Sequence, residues 1–89
     1  MNTVNLIGNV AYKDIKENVG IIRLAIDRVS DGTDFITVKL FGKTKDICEQ
    51  YVDKGRKIGI SGRLSSNTYE KDGKTVYTQE VIANQLHLL

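Results

Sequence analysis

Apolar and polar positions alternate along most of this chain, and glycine or Asp-Gly interrupts the alternation at intervals. Val4 and Leu6 alternate with Thr3 and Asn5 as far as Gly8-Asn9, which predicts a first strand ending there. Residues 10–19 are mixed and polar with no clear period and read as a connection. In a second strand over 21–28, Ile22, Leu24 and Ile26 alternate with Arg23, Ala25 and Asp27. Ser30-Asp31-Gly32-Thr33 is a turn, and a third strand runs from Phe35 to Phe41 until Gly42 ends it. Over 43–52 the period changes. Ile47, Cys48, Tyr51 and Val52 share one face of a short helix, with Thr44 as N-cap and Lys54-Gly55 as its C-terminal signal. Ile58, Ile60 and Leu64 then alternate with Lys57, Gly59, Ser61 and Arg63 in a fourth strand. Asp72-Gly73 predicts a tight hairpin into a fifth strand, Val76 to Leu89. The apolar parity of that strand shifts from Val81 and Ala83 to Leu86 and Leu88, which places a bulge near Asn84-Gln85.

Register follows from the turns. A two-residue turn at Asp72-Gly73 sets Leu64 opposite Val81 and Gly62 opposite Ala83, core parity against core parity. The same turn at Asp31-Gly32 would put Leu24 and Ile26 beside Lys39 and Thr37. An odd-length loop repairs this and places Arg23, Ala25 and Asp27 beside Phe41, Lys39 and Thr37. Three strands, a helix and two strands is the order of an OB-fold, an all-β five-stranded Greek-key barrel with one short helix. Eighty-nine residues fit one such domain, 1–89.

Composition narrows the function. Apolar residues are 40% of the chain and charged ones 27%, as in an ordinary globular domain. No apolar run approaches the ~20 residues of a membrane span, and no basic-then-apolar leader marks secretion, so a cytoplasmic protein without membrane association is expected. A lone cysteine and a lone histidine exclude a disulfide framework and a Cys/His metal cluster. Cys48 falls on the helix stripe as a small core residue rather than a nucleophile, and the scattered carboxylates have no neighbouring base. The glycines match no phosphate-loop spacing. No catalysis and no cofactor are expected. The net charge of +2 is below what by itself announces a nucleic-acid binder.

The third strand carries the chemistry. Ile36, Val38 and Leu40 suit a core, so Phe35, Thr37, Lys39 and Phe41 face away from it. Both phenylalanines of the protein thus stand on a polar face with a lysine between them. Rings interleaved with cations suit single-stranded nucleic acid, bases on rings and phosphates on Lys or Arg. The competing interpretation is that the rings fill an interface or lie under the segment 10–19. Tyr69, near the hairpin tip beside Lys71 and Lys74, is either a stacking residue on an arm or a cross-strand partner of Val76. Tyr77 shares the core parity and Tyr51 the helix stripe, so both read as structural; Tyr12 falls in the connection.

These residues resemble the bacterial single-stranded DNA-binding protein (SSB) family along nearly the whole chain. The matching segments include Val4-Asn5-Leu6-Ile7-Gly8-Asn9, Leu24-Ala25-Ile26-Asp27-Arg28, Asp34-Phe35 through Leu40-Phe41-Gly42-Lys43, Ile60-Ser61-Gly62-Arg63-Leu64, Asp72-Gly73-Lys74 and Tyr77-Thr78-Gln79-Glu80-Val81. The resemblance implies an OB-fold that binds single-stranded DNA with little sequence preference and assembles as a homo-oligomer, a tetramer favoured and a dimer possible. It puts Phe35 and Phe41 on the stacking aromatics of strand three and Tyr69 on that of the long hairpin. Arg23, Lys43 and Lys54 fall where members touch DNA, and Arg28 lies near the binding surface. Where members carry a further aromatic after strand two, this chain has Ser30 in a shorter loop. Gly59, Ser61 and Arg63 occupy the face that packs dimers into tetramers, where larger side chains are common. The family's acidic-hydrophobic tail has no counterpart before Leu89, so tail-dependent partners are not expected. An RNA-binding OB domain and a protein-interaction subunit of a replication complex remain the alternatives.

Overall fold

The computed structural model describes residues 1–89. Its elements are β1 (Val4–Ile15), β2 (Gly20–Asp27), β3 (Thr33–Leu40), α1 (Gly42–Tyr51), β4 (Lys57–Lys71) and β5 (Lys74–Leu88). The strands close a barrel in the order β1-β2-β3-β5-β4, all neighbours antiparallel except β3 and β5. This is the expected OB architecture. Inward positions of every strand fill the barrel: Val10, Ile22, Leu24, Val38, Leu40, Ile58, Ile60, Val81 and Ala83 are buried, and Cys48 and Val52 plug one end. Closure satisfies the strand edges within the barrel, which suits a chain of this size.

The fourth and fifth strands pair as the turn chemistry dictates. Asp72 and Gly73 both adopt positive φ, 52° and 74°, as a type I′ turn requires. Lys71 faces Lys74, Leu64 faces Val81 and Gly62 faces Ala83. The register then slips so that Ser61 faces Gln85, leaving Asn84 as the extra residue of the expected bulge. Gly62 is required at that bulge, because a Cβ there would collide with the Ile82 carbonyl.

Five expectations are corrected. Gly8-Asn9 does not end the first strand, and 10–15 is not a connection: β1 continues through both to Ile15. Gly8 is kept small by crowding, since a Cβ would stand 2.7 Å from the Ala25 carbonyl oxygen. A register shift between Val10 and Tyr12 inverts the parity, which erased the period in the sequence. The loop after β2 is odd, as expected, but the pairing is offset: Arg23 faces Thr37, Ala25 faces Phe35 and Asp27 faces Thr33. Five residues, 28–32, make the connection, with the Arg28 amide donating to the Gly32 carbonyl at 3.0 Å. Thr44 is not the N-cap; Phe41 is, and the Thr44 hydroxyl instead donates to the Phe41 carbonyl at 2.8 Å from inside the helix. Tyr51 is exposed rather than packed, the buried stripe being Thr44, Cys48 and Val52. Tyr77 and Leu64 keep the core parity but stand on the part of the β4–β5 ribbon that extends past the barrel, and both are exposed.

Two side chains finish the edges. Asn2 copies a strand residue, donating to the Leu64 carbonyl and accepting from the Leu64 amide, each at 2.8 Å, just where β1 stops pairing with β4. Lys13 Nζ donates to the Val52 carbonyl at 2.7 Å and to Glu49 at 3.3 Å, closing the C-terminal end of α1 with a cation of the favoured sign.

Candidate nucleic-acid interface

The alternation of β3 builds the site. Val38 and Leu40 are fully buried and Ile36 packs against the core, so Phe35, Thr37 and Lys39 turn outward. Phe41 lies one residue past the strand end. Its backbone is still extended, φ −131° and ψ 156°, so it keeps the outward parity while capping α1. Phe35 is 59% exposed and Phe41 47%. Neither ring is needed to fill the barrel.

The neighbouring strands extend this face in rows. Asn9 of β1, Ala25 of β2 and Phe35 of β3 form one row. The next row is Tyr12, Arg23 and Thr37, and the one after is Asp14, Ile21 and Lys39. Tyr12 is the member that sequence reading missed. It stands half-exposed beside Arg23 because the bulge turns β1 over just before it. The signal in the sequence was weak: only the strand-favouring character of Tyr12 and Ile15 hinted that β1 continued.

The candidate cations fall into two groups. Arg23, Lys43 and Lys54 make no ion pair. Lys54 sits in the loop whose Gly55 bonds the side chain of Asn9 and the carbonyl of Val10, beside the Asn9–Ala25–Phe35 row. Lys43 is in the first turn of α1, next to Phe41. That turn has no acidic residue and no side-chain cap, so the helix end adds to the positive character there. Arg28 and Lys39 are already engaged. Arg28 Nε and Nη2 donate to one oxygen of Asp34 at 3.0 and 2.7 Å. The hydrogen bond from Arg28 holds the Asp34 carboxyl below the ordinary carboxylate range, opposed by desolvation and aided by the Arg28 charge. The same bond holds the guanidinium above its ordinary value. Lys39 Nζ lies 3.0 Å from Glu80 Oε1.

Tyr69 is near the tip of the ribbon, half-exposed opposite Val76. Tyr77 is on the other face of the ribbon and 76% exposed. Elsewhere the chemistry is sparse. No three His, Cys, Asp or Glu side chains converge. Cys48 is buried, and burial pushes its thiol up, with Lys13 opposing weakly. Ser61 Oγ donates to Asn5 at 2.9 Å and lies 3.1 Å from His87 Nε2, on the outer face of β1, β4 and β5.

Comparison with known proteins places this architecture. The fold matches a Plasmodium falciparum SSB solved in complex with single-stranded DNA, with a TM-score of 0.86 at 24% identity, over 100% of this chain and 95% of that one. Among curated proteins, the chain is 43% identical to a single-stranded DNA-binding protein of Clostridium tetani over 72 residues, 74% of this chain and 50% of that one. It is 37% identical to a single-stranded DNA-binding protein 2 of Staphylococcus aureus over 79 residues, 81% of this chain and 56% of that one. The chain spans about half the length of such relatives. The model of the single-strand binding protein family matches residues 1–89 from end to end. With its barrel, its β3 ridge and its β4–β5 ribbon, the chain belongs to the single-strand binding protein family.

Proposed function

We propose that the protein binds single-stranded DNA with little sequence preference and shields it during replication, recombination or repair, without catalysis, in the cytoplasm. Bases stack on Phe35 and Phe41 along β3, with Tyr12 and Tyr69 as flanking platforms. Arg23, Lys43 and Lys54 meet phosphates, Thr37 offers its hydroxyl between the rings, and Arg28 and Lys39 border the path. The observation that carries this reading is the pair of half-exposed phenylalanines over a barrel that is already full without them. Every base has a π-face, so stacking of this kind is tolerant of sequence. The three unpaired cations supply an electrostatic component that salt screens.

The protein acts as an oligomer in this proposal, at least a dimer. Exposed Ile7 and Leu89 flank a shallow groove with Gly59 and Ser61 at its floor, and a second copy covers it. Sedimentation equilibrium at tens of micromolar checks the assembly; a species of monomer mass, 9.9 kDa, contradicts it. Titration of labelled oligo-dT checks the binding, with matched oligo-U in parallel. Preference for oligo-dT is expected, because nothing on the face is dedicated to a 2′-OH. Stronger binding to oligo-U supports an RNA partner instead, and no binding to either supports a protein partner.

A further inference from the structure

A carboxylate of β5 stands on the outward face and pairs with a lysine of β3. Glu80 of β5 lies beside Lys39, whose strand neighbour is Ile82, and opposite Ser65 of β4. Its Oε1 takes both Lys39 Nζ at 3.0 Å and Asn67 Nδ2 at 2.8 Å. A single acidic oxygen therefore links β3, β4 and β5 where the ribbon leaves the barrel. The two ion pairs of this region differ in setting. Arg28 and Asp34 are about half-exposed, whereas the Glu80 side chain is only 12% exposed and that of Lys39 33%. Water screens the first pair well and the second poorly.

Resting on the single-stranded DNA reading above, we propose that Glu80 is an internal competitor for phosphate: it holds Lys39 in a partly buried pair and so limits the electrostatic component of binding. A phosphate that approaches Lys39 has two options. It can take the ammonium, which strands a poorly hydrated carboxylate. Or it can share the ammonium and meet the repulsion of Glu80. Either way Lys39 releases little counterion-driven free energy, and Arg23, Lys43 and Lys54 carry the salt-dependent part of binding. Glu80 is thus a positioning residue, and Asn67 keeps it facing Lys39.

The test is Glu80→Gln, which preserves the shape and still accepts from Asn67. Oligo-dT titrations across a salt series are read for the slope of log K against log salt. A phosphate newly neutralised on a single strand steepens that slope by about 0.7, so the ratio of variant to parent affinity grows roughly fivefold for each tenfold fall in salt. Adding Lys39→Met to Glu80→Gln should return the parental slope. Lys39→Met alone removes a cation and leaves Glu80 unpaired, so it is read against Lys43→Met: the slope should become shallower by less at Lys39 than at Lys43, a comparison independent of how Glu80→Gln folds. An unaltered or shallower slope in Glu80→Gln overturns the proposal, as does a slope in Lys39→Met alone that is as much shallower as that of Lys43→Met. A parent that binds no oligo-dT overturns the function reading and this inference together. A parent that binds, with variants on the wrong slopes, overturns the inference only.

Discussion

The two halves of β4 carry the same alternation and meet opposite fates. From Lys57 to Gly62 the strand has β1 on one side and β5 on the other, and Ile58 and Ile60 are buried. Beyond Gly62 only β5 remains beside it, and Leu64, of the same parity as Ile60, is exposed, as is Tyr69 on the opposite face. The partner strand repeats the contrast: Val81 and Ala83 are buried, while Tyr77, two turns of the alternation away, is open to solvent. Alternation assigns a residue to a face. Whether that face is buried depends on further strands closing over it, and only the barrel half has them.

The largest effect that sharpens this contrast is on stability. Ile60→Ala removes a filled position in the closed half and should cost ~2–5 kcal/mol, while Leu64→Ala in the open half should cost less than about 1 kcal/mol. For a chain of this size the first should lower the melting temperature on the order of 10 °C or more, measured by circular dichroism. Equal shifts would break the comparison. Gly62→Ala comes next. The added Cβ meets the Ile82 carbonyl at the junction of the two halves, and displacing backbone at a packed site costs roughly 1–3 kcal/mol. The same melting experiment reads it.

Much of the fold was legible because local chemistry was unambiguous. Asp72-Gly73 fixes one turn type, that turn fixes the pairing of Leu64 with Val81, and the parity change at Asn84-Gln85 marks a real bulge. What failed did so where tertiary context overrode the local signal. The bulge between Val10 and Tyr12 shifted the period of β1 mid-strand, hiding six residues of strand and with them Tyr12. Gly8 resembled a terminator but is an interior residue under a crowding carbonyl. Tyr51 and Tyr77 sit at the right parity but beyond the cover. In the candidate site, outward placement of Phe35, Thr37, Lys39 and Phe41 followed from one clean alternation, and these residues do share a face. The pairing of Lys39 with Glu80 was invisible, because it joins strands whose parallel contact spans two residue pairs.

Two smaller effects probe the closed and open regions chemically. Cys48 plugs the barrel and burial disfavours its thiolate, so a maleimide should label the native protein slowly and the denatured protein at once. Fast labelling of the native form would mean that the helix end of the barrel opens readily. Asp34, by contrast, is about half-exposed. Its carboxyl is held below the ordinary range by Arg28, so its contribution to stability is present above the unfolded carboxylate value, about 3.9. That contribution fades as pH falls through the lower folded value. Asp34→Asn should therefore melt slightly below the parent at pH 7 and together with it at pH 2. A gap that persists at pH 2 would point to lost packing rather than lost charge.

The central claim is that the ridge of β3 binds and the inward side of the same strand holds the fold. Matched melting curves and oligo-dT titrations on Phe35→Ala, Phe41→Ala and Leu40→Ala test it directly. Base–aromatic stacking in proteins of this class is worth roughly 1–3 kcal/mol per base, so each phenylalanine variant should bind about tenfold or more weakly while melting close to the parent. Leu40→Ala should melt far below the parent and, in the cold, bind like it. Phenylalanine variants that melt early yet bind like the parent would contradict the account, showing that the outward rings pack against protein and not against bases.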